Sequence, residues 1–237
     1  MTKEIKQYLE ETILLDYNHP LIQFVVNNRG WKNLNERDKI KQIYLFVRDE
    51  TLFGYNKSDD IKPSEVLKDG YGQCNTKSIL LMALLRSVGI PCRLHGFMIE
   101  KPLQKGAISG IWYKLAPKNL VHTWVEVYYK KKWYDLEGVI LDKEYITQLQ
   151  NKFKNCTGNF CGYGVYTDNF QNPNIEWNEN NTYIQHLGIN QDFGVFNSPD
   201  EFFKKHPQEL SPLKEIIYKN FVRKIMNNNI KIIREAI

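Results

Sequence analysis

The sequence predicts a single domain of the α+β class, on three observations. Residues 74–88 form an apolar stretch of helical length, residues 92–99 are typical of a strand, and a pair of strands follows from residue 121. Helices come first and paired strands second, which favours an antiparallel sheet with a helix packed on it over alternating α/β units. With 237 residues, the chain is long enough for one large domain with a substantial core.

The composition is that of a globular protein, with 42% hydrophobic and 25% charged residues. The net charge of +5 is spread over many lysines, which predicts no nucleic-acid partner. No stretch has the length of a membrane span and no apolar leader follows Met1, so we expect a cytoplasmic protein without a membrane partner. In that compartment the cysteines, Cys74, Cys92, Cys156 and Cys161, are expected to be free thiols.

The first elements are predicted from caps and apolar spacing. Residues 1–30 are expected to hold a short helix and a loop. Asn35 begins a helix, since apolar residues then recur at helical intervals. These residues are Ile40, Ile43, Tyr44 and Val47. A short helical turn is expected at residues 63–67, inside a segment that is otherwise loop.

The helix that begins at Cys74 is the central prediction of the fold. Residues 79–85 are apolar on all sides, which is typical of a helix buried in the core. Gly89 and Pro91 follow its end, in positions that favour helix termination. Residues 100–119 are predicted to be a loop.

Period-two alternation predicts a strand from Val121, whose apolar face alternates with a face that carries His122 and Trp124. The lysines at 130–132 form a turn, and residues 132–140 return as a second strand. Residues 150–200 show no clear periodicity. Ser211 and Pro212 begin a C-terminal helix. Its predicted apolar face consists of Leu213, Ile216, Ile217, Phe221 and Ile225.

Three residues along this framework are the parts of a thiol nucleophile with its base and orienting group. Cys74 begins a helix, where the free N–H groups and the helix dipole stabilise a thiolate. His122 lies on the polar face of its strand and can serve as the base. Glu137 and Asp135 are the candidate carboxylates on the returning strand.

The motifs around these residues resemble the transglutaminase-like superfamily. They are Tyr71-Gly72-Gln73-Cys74, then residues 85–93 (LRSVGIPCR), then residues 122–127 (HTWVEV), in family order and spacing. The resemblance implies a papain-like core over about 36–142, with a Cys-His-Asp triad. Residues 143–237 are then a C-terminal extension, predicted to be helical, of a type similar to small bacterial members. Asn75 departs from the animal transglutaminases, which have tryptophan after the cysteine and flanking β-domains.

The third triad member remains open between two residues. The family usually places an aspartate about four residues after the hairpin tryptophan, and Glu137 has that offset from Trp133. The hairpin register also favours Glu137, because Asp135 would pair near Glu126, two residue pairs from His122. Glu126 is expected to be a charge at the rim.

The resemblance implies a cysteine-dependent acyl-transfer enzyme that acts on a peptide or protein amide, as peptidase, deamidase or transamidase, through a thioester. No cofactor and no metal are implied. Gln73 and Trp124, the neighbours of Cys74 and His122, are the expected substrate contacts. An arylamine N-acetyltransferase-like enzyme and a non-catalytic binding module remain as alternatives. The aromatic-rich residues 150–200 are predicted to lie over or beside the cleft.

Overall fold

A computed structural model of the protein describes residues 3–235. The helices are α1 (Lys3–Lys6), α2 (Pro20–Asn28), α3 (Glu36–Leu45), α4 (Pro63–Asp69), α5 (Cys74–Ser87), α6 (Gly110–Leu115), α7 (Lys143–Lys152), α8 (Pro199–Lys205), α9 (Pro212–Ile217) and α10 (Arg223–Arg234). The strands are β1 (Leu52–Phe53), β2 (Tyr71–Gly72), β3 (Cys92–Glu100), β4 (Asn119–Tyr129), β5 (Lys132–Asp135), β6 (Phe160–Gly162), β7 (Val165–Thr167) and β8 (Ile189–Phe196).

The main sheet of residues 3–235 is antiparallel, with strand order β5-β4-β3-β8. Helix α5 packs against β4 and β3 and is enclosed on its other sides by α2, α3 and α4. Every residue from Ile79 to Leu85 is fully buried, as expected of an apolar helix at the centre of the core. The α+β class and the central cysteine-bearing helix on an antiparallel sheet are therefore confirmed.

The β4–β5 hairpin turns at Lys130 and Lys131, which both adopt positive φ angles (48° and 63°). Two such residues make a turn whose twist matches that of the strands. The predicted second strand is too long, because β5 ends at Asp135 and residues 137–139 form a 3₁₀ turn. The chain leaves the sheet there because the N–H groups of Glu137 and Gly138 bond to the carbonyl of Thr182 (3.1 and 3.3 Å).

Regular structure is present in the predicted loop and also in the region where the sequence shows no clear periodicity. The predicted loop at 100–119 contains α6 and a 3₁₀ turn. The region 150–200 contributes the β6–β7 hairpin and strand β8, which pairs with β3 at the edge of the main sheet. The C-terminal part of the chain thus completes the sheet that the core begins, and its helices α8 to α10 follow.

The predicted apolar face of the C-terminal helix is wrong. Leu213, Ile216, Phe221 and Ile225 are exposed, and the buried residues are Met226, Ile230 and Ile233. A π-helical turn over Tyr218–Val222 joins α9 to α10. Each hydrogen bond of a π-helical turn spans one residue more than in an α-helix. The turn therefore changes which side of the following helix, α10, faces the core. No helix among residues 3–235 is both long and apolar enough to cross a bilayer.

Candidate active site

Cys74 is the first residue of α5, and the chain before it is tightly packed. The Thr76 hydroxyl accepts a hydrogen bond from the N–H of Gln73 (3.0 Å) and donates one to the side chain of Asn56 (2.6 Å). A Cβ on Gly72 would lie 2.8 Å from that hydroxyl oxygen and 2.9 Å from the side chain of Lys77, so the approach requires glycine. Cys74 itself stays partly exposed, with its Sγ 3.7 Å from Oδ1 of Asn75.

His122 is fully buried on β4. Its Nε2 lies 2.9 Å from Oε1 of Glu137, while its Nδ1 has no hydrogen-bond partner among the described residues. Burial by itself acts to lower the pKa of His122, but the neighbouring Cys74 and Glu137 outweigh it and raise the pKa to about 9. A protonated imidazole at neutral pH, beside a thiol, is the arrangement that sustains a thiolate–imidazolium pair.

Glu137 is also fully buried and is held on both carboxylate oxygens. Oε1 meets His122, and Oε2 accepts hydrogen bonds from three successive backbone N–H groups. The donors are Ile184 (2.8 Å), Gln185 (2.9 Å) and His186 (3.0 Å). This anchor fixes the carboxylate and thereby the orientation of the imidazole ring. Glu137 reaches His122 from the 3₁₀ turn and not from a strand. The argument that placed Glu137 on the returning strand is therefore wrong, although the two residues do meet.

Asp135 does not contact His122. It pairs with Glu126 across the β4–β5 ladder, as the sequence register predicts, and its carboxylate accepts a hydrogen bond from the hydroxyl of Tyr183. Burial, reinforced by the charge of Glu126, raises the pKa of Asp135 above its usual range. The structure therefore brings Glu137, and not Asp135, to His122.

The two expected substrate contacts lie in different places. Gln73 lines a cleft at Cys74, but its side chain is already engaged by the N–H of Asn56 (2.8 Å) and by Asp59 (3.0 Å). Trp124 lies outside the cleft lining and is buried among aromatic rings, the nearest being Phe97 at 4.0 Å between ring centroids. Its expected contact with substrate is not supported by this placement.

The cleft beside Cys74 has a volume of about 380 Å³. Residues 99–121, which include α6, form one wall of the cleft. Residues 203–226 form the other wall. Of the aromatic-rich stretch 150–200, Gln185 alone lines the cleft, so this stretch does not lie over the cleft and reaches its side only at that residue. Its rings pack on one another and on the sheet, for example Phe160 on Phe170 (4.0 Å), and its backbone anchors Glu137.

Tyr55 is a cleft residue that the sequence reasoning missed. It is buried at the cleft, and the pKa of its phenol is raised, first by burial and then by the charge of Cys74. The side-chain amide of Asn227 on α10 binds both backbone polar groups of Tyr55. It accepts a hydrogen bond from the Tyr55 N–H (2.7 Å) and donates one to the Tyr55 carbonyl (3.1 Å). No periodic signal marks Tyr55, because it follows the two-residue strand β1.

Comparisons with known proteins bear on the whole arrangement. Residues 23–138 match the family model described as the transglutaminase-like superfamily. A comparison with curated proteins finds no match. Among solved structures, the chain is similar to a candidate cysteine protease from Cytophaga hutchinsonii, with a TM-score of 0.48 and 12% identity over 85% of this chain and 50% of that one. The chain thus spans half the length of that protein.

The matched residues include the helix of Cys74, the strand of His122, and Glu137 itself. The central helix α5 and three strands of the antiparallel sheet, β3, β4 and β5, lie within the matched segment. The resemblance of the chain to the transglutaminase-like superfamily is thus confirmed over residues 23–138.

Proposed function

We propose that the protein is a cysteine-dependent acyl-transfer enzyme that acts on amide bonds, with Cys74, His122 and Glu137 as its catalytic residues. The observation that carries the proposal is the buried His122–Glu137 contact of 2.9 Å, whose carboxylate is fixed by three backbone N–H groups. A carboxylate so anchored keeps the imidazole charged and oriented toward the thiol.

In the proposed reaction, the Cys74 thiolate attacks the amide carbonyl and a tetrahedral intermediate forms. The Cys74 N–H, free at the helix start, and the Tyr55 hydroxyl are the candidate donors to its oxyanion. His122 gives its proton to the leaving amine as the C–N bond breaks, which leaves a thioester on Cys74. Water or an amine then attacks the thioester, giving hydrolysis or transamidation.

Selective alkylation tests this proposal. The native protein is treated with iodoacetamide near pH 6 and the adducts are mapped by mass spectrometry. We expect Cys74 to react first, since burial raises the pKa of Cys92 to about 11 and also raises that of Cys161. His122→Ala should slow the labelling of Cys74, because the variant lacks the neighbouring cation.

His95→Ala is the matched control, since His95 is also a strand histidine bonded to carboxylates but lies in a different cluster. It should leave the labelling of Cys74 unchanged. Faster labelling of Cys156 or Cys161 than of Cys74, or no effect of His122→Ala, would contradict the proposal and favour a non-catalytic binding module on the same fold.

A further inference from the structure

The walls of the Cys74 cleft are apolar over most of their extent. The first wall contributes side chains from β3, the 3₁₀ turn, α6 and the start of β4. Its apolar residues are Ile99, Leu103, Ile108, Trp112, Leu115 and Leu120. The second wall comes from the end of α8 and the C-terminal helices. Its apolar residues are Phe203, Leu210, Ile217, Val222 and Met226.

These walls are held in place by contacts of their own. Asn227 is hydrogen-bonded to the backbone of Tyr55, as described above. In addition, the Tyr218 hydroxyl donates to the carbonyl of Asn56 (3.2 Å), and the side chain of Asn229 donates to the carbonyl of Ala107 (3.0 Å). The C-terminal helices are therefore tied both to the chain near Cys74 and to the opposite wall. The cleft is largely formed before any substrate enters it.

The polar side chains of the cleft lining are mostly occupied by other protein groups. Asn75 donates to the carbonyl of Val121 (3.1 Å), and Gln208 accepts from the N–H of Val121 (2.8 Å). Gln185 donates to the carbonyl of Gly164, which leaves its buried Oε1 as an acceptor without a partner among the described residues.

The charged side chains of the cleft lining are also engaged by protein groups. Asp59, beside Gln73, accepts a hydrogen bond from the Gln73 side chain (3.0 Å), and burial raises the pKa of its carboxyl above the usual range. Lys57 pairs with Glu65 (2.7 Å), and Lys219 pairs with Glu215 (2.5 Å). Lys214 donates to the carbonyl of Leu115 (3.4 Å). A polar substrate side chain would thus find apolar walls and few free partners, and its burial would cost free energy.

We propose that the acyl group transferred by Cys74 is large and apolar, a chain or ring that fills the space between α6 and the C-terminal helices. This inference rests on the proposed function of Cys74. A fatty acyl chain and an aromatic amino-acid side chain share the required chemistry, and the experiment below separates them.

Acylation of Cys74 by p-nitrophenyl esters tests the inference without a known substrate. The thiolate attacks the ester carbonyl, the C–O bond breaks, p-nitrophenolate leaves, and the acyl group remains on sulfur as a thioester. Acetyl, hexanoyl and 3-phenylpropanoyl esters are compared, each rate being divided by the rate of the same ester with glutathione. Intact-mass and peptide mass spectrometry locate the adduct.

We expect the hexanoyl ester to react at least tenfold faster than the acetyl ester, since burial of one methylene is worth roughly fourfold. A comparable increase in normalised rate with the 3-phenylpropanoyl ester indicates that the cleft accepts an aromatic ring. An increase with the hexanoyl ester alone indicates that the cleft accepts a linear chain and excludes a ring. Equal normalised rates with the adduct on Cys74 would overturn the inference while leaving the proposed function intact. No adduct on Cys74 with any ester would overturn the proposed function.

Ala116→Trp supplies the structural control, because Ala116 lines the cleft and tryptophan would fill part of it. It should abolish most of the preference for the larger acyl groups, measured as the ratio of the hexanoyl rate to the acetyl rate in the same variant. Lys118→Trp, an exposed position of the same loop outside the lining, should keep the preference. Circular dichroism checks that both variants are folded. An undiminished preference in Ala116→Trp would place the acyl group elsewhere and overturn the inference.

Discussion

Two histidine–carboxylate clusters lie on neighbouring strands of the same sheet, and they differ in burial and partners. His122 on β4 meets Glu137 at 2.9 Å, and both side chains are 0% exposed. His95 on β3 lies 2.7 Å from Glu126 and 2.8 Å from Asp192, with 17% of its own side chain and 59% of that of Asp192 exposed.

A short histidine–carboxylate contact does not by itself leave a ring nitrogen of the histidine free to act on a nucleophile. His95 uses both ring nitrogens on carboxylates, so neither is free to serve a nucleophile. His122 uses one nitrogen on Glu137, and its Nδ1 stays without a hydrogen-bond partner in the described part of the chain. The charge of Cys74 raises the pKa of His122, while no thiol contributes to that of His95.

The largest difference between the clusters should appear when each carboxylate is neutralised. Glu137→Gln leaves a buried histidine without its counter-charge, so we expect a loss of roughly 3–5 kcal/mol in the free energy of unfolding. Labelling of Cys74 at pH 6 should slow more than tenfold. Glu126→Gln should cost roughly 1.5 kcal/mol, since its partners remain near water or other carboxylates. Urea unfolding and iodoacetamide labelling measure both effects.

Unchanged labelling in Glu137→Gln, with the protein folded, would contradict the role of Glu137 as the residue that positions His122. Slower labelling in Glu126→Gln would show that the two clusters are coupled through the sheet.

The pH dependence of stability should sharpen the same contrast. The pKa of His122 rises from 6.5 to about 9 on folding, so the native state binds the extra proton between these values. The stability that His122 contributes is therefore fully present below pH 6.5 and lost as the pH rises through about 9. Urea unfolding at pH 6 and pH 9.5 measures the difference in free energy of unfolding between the wild type and His122→Gln. This difference should be smaller at pH 9.5 than at pH 6, by up to roughly 3 kcal/mol.

His95→Gln is the matched variant for the second cluster. Burial acts to lower the pKa of His95, but Glu126 and Asp192 outweigh it, so its contribution has the same sign and is also lost above pH 6.5. We expect a smaller change than for His122→Gln. A larger change at His95 would reverse the ranking of the two clusters.

The smallest effect is expected at Asp135, the alternative third member. Because its pKa is raised, chiefly by burial, folding disfavours its charged form. Near pH 7, Asp135→Asn should therefore leave thermal stability unchanged or slightly higher, and should not alter the labelling of Cys74. If Asp135→Asn slows labelling as much as Glu137→Gln does, Asp135 acts on His122 despite the distance between them.

Much of the fold could be predicted from local patterns in the sequence. The apolar run after Cys74, the caps at Asn35 and Ser211, and the alternation around His122 each specify an element whose residues are close in the chain. The order of the cysteine, histidine and carboxylate motifs was enough to predict the superfamily. These features depend on periodicity and capping, which act over a few residues.

Tertiary structure alone decided how the carboxylate is held and what encloses the cleft. Glu137 meets His122 because the N–H groups of residues 184–186 bind its other oxygen, nearly 50 residues further along the chain. The cleft wall depends on a π turn that rotates the C-terminal helix, and the sheet edge on β8, which has no clear alternation. Such contacts join distant segments through backbone groups, which every residue carries, so no side-chain pattern in the sequence marks them.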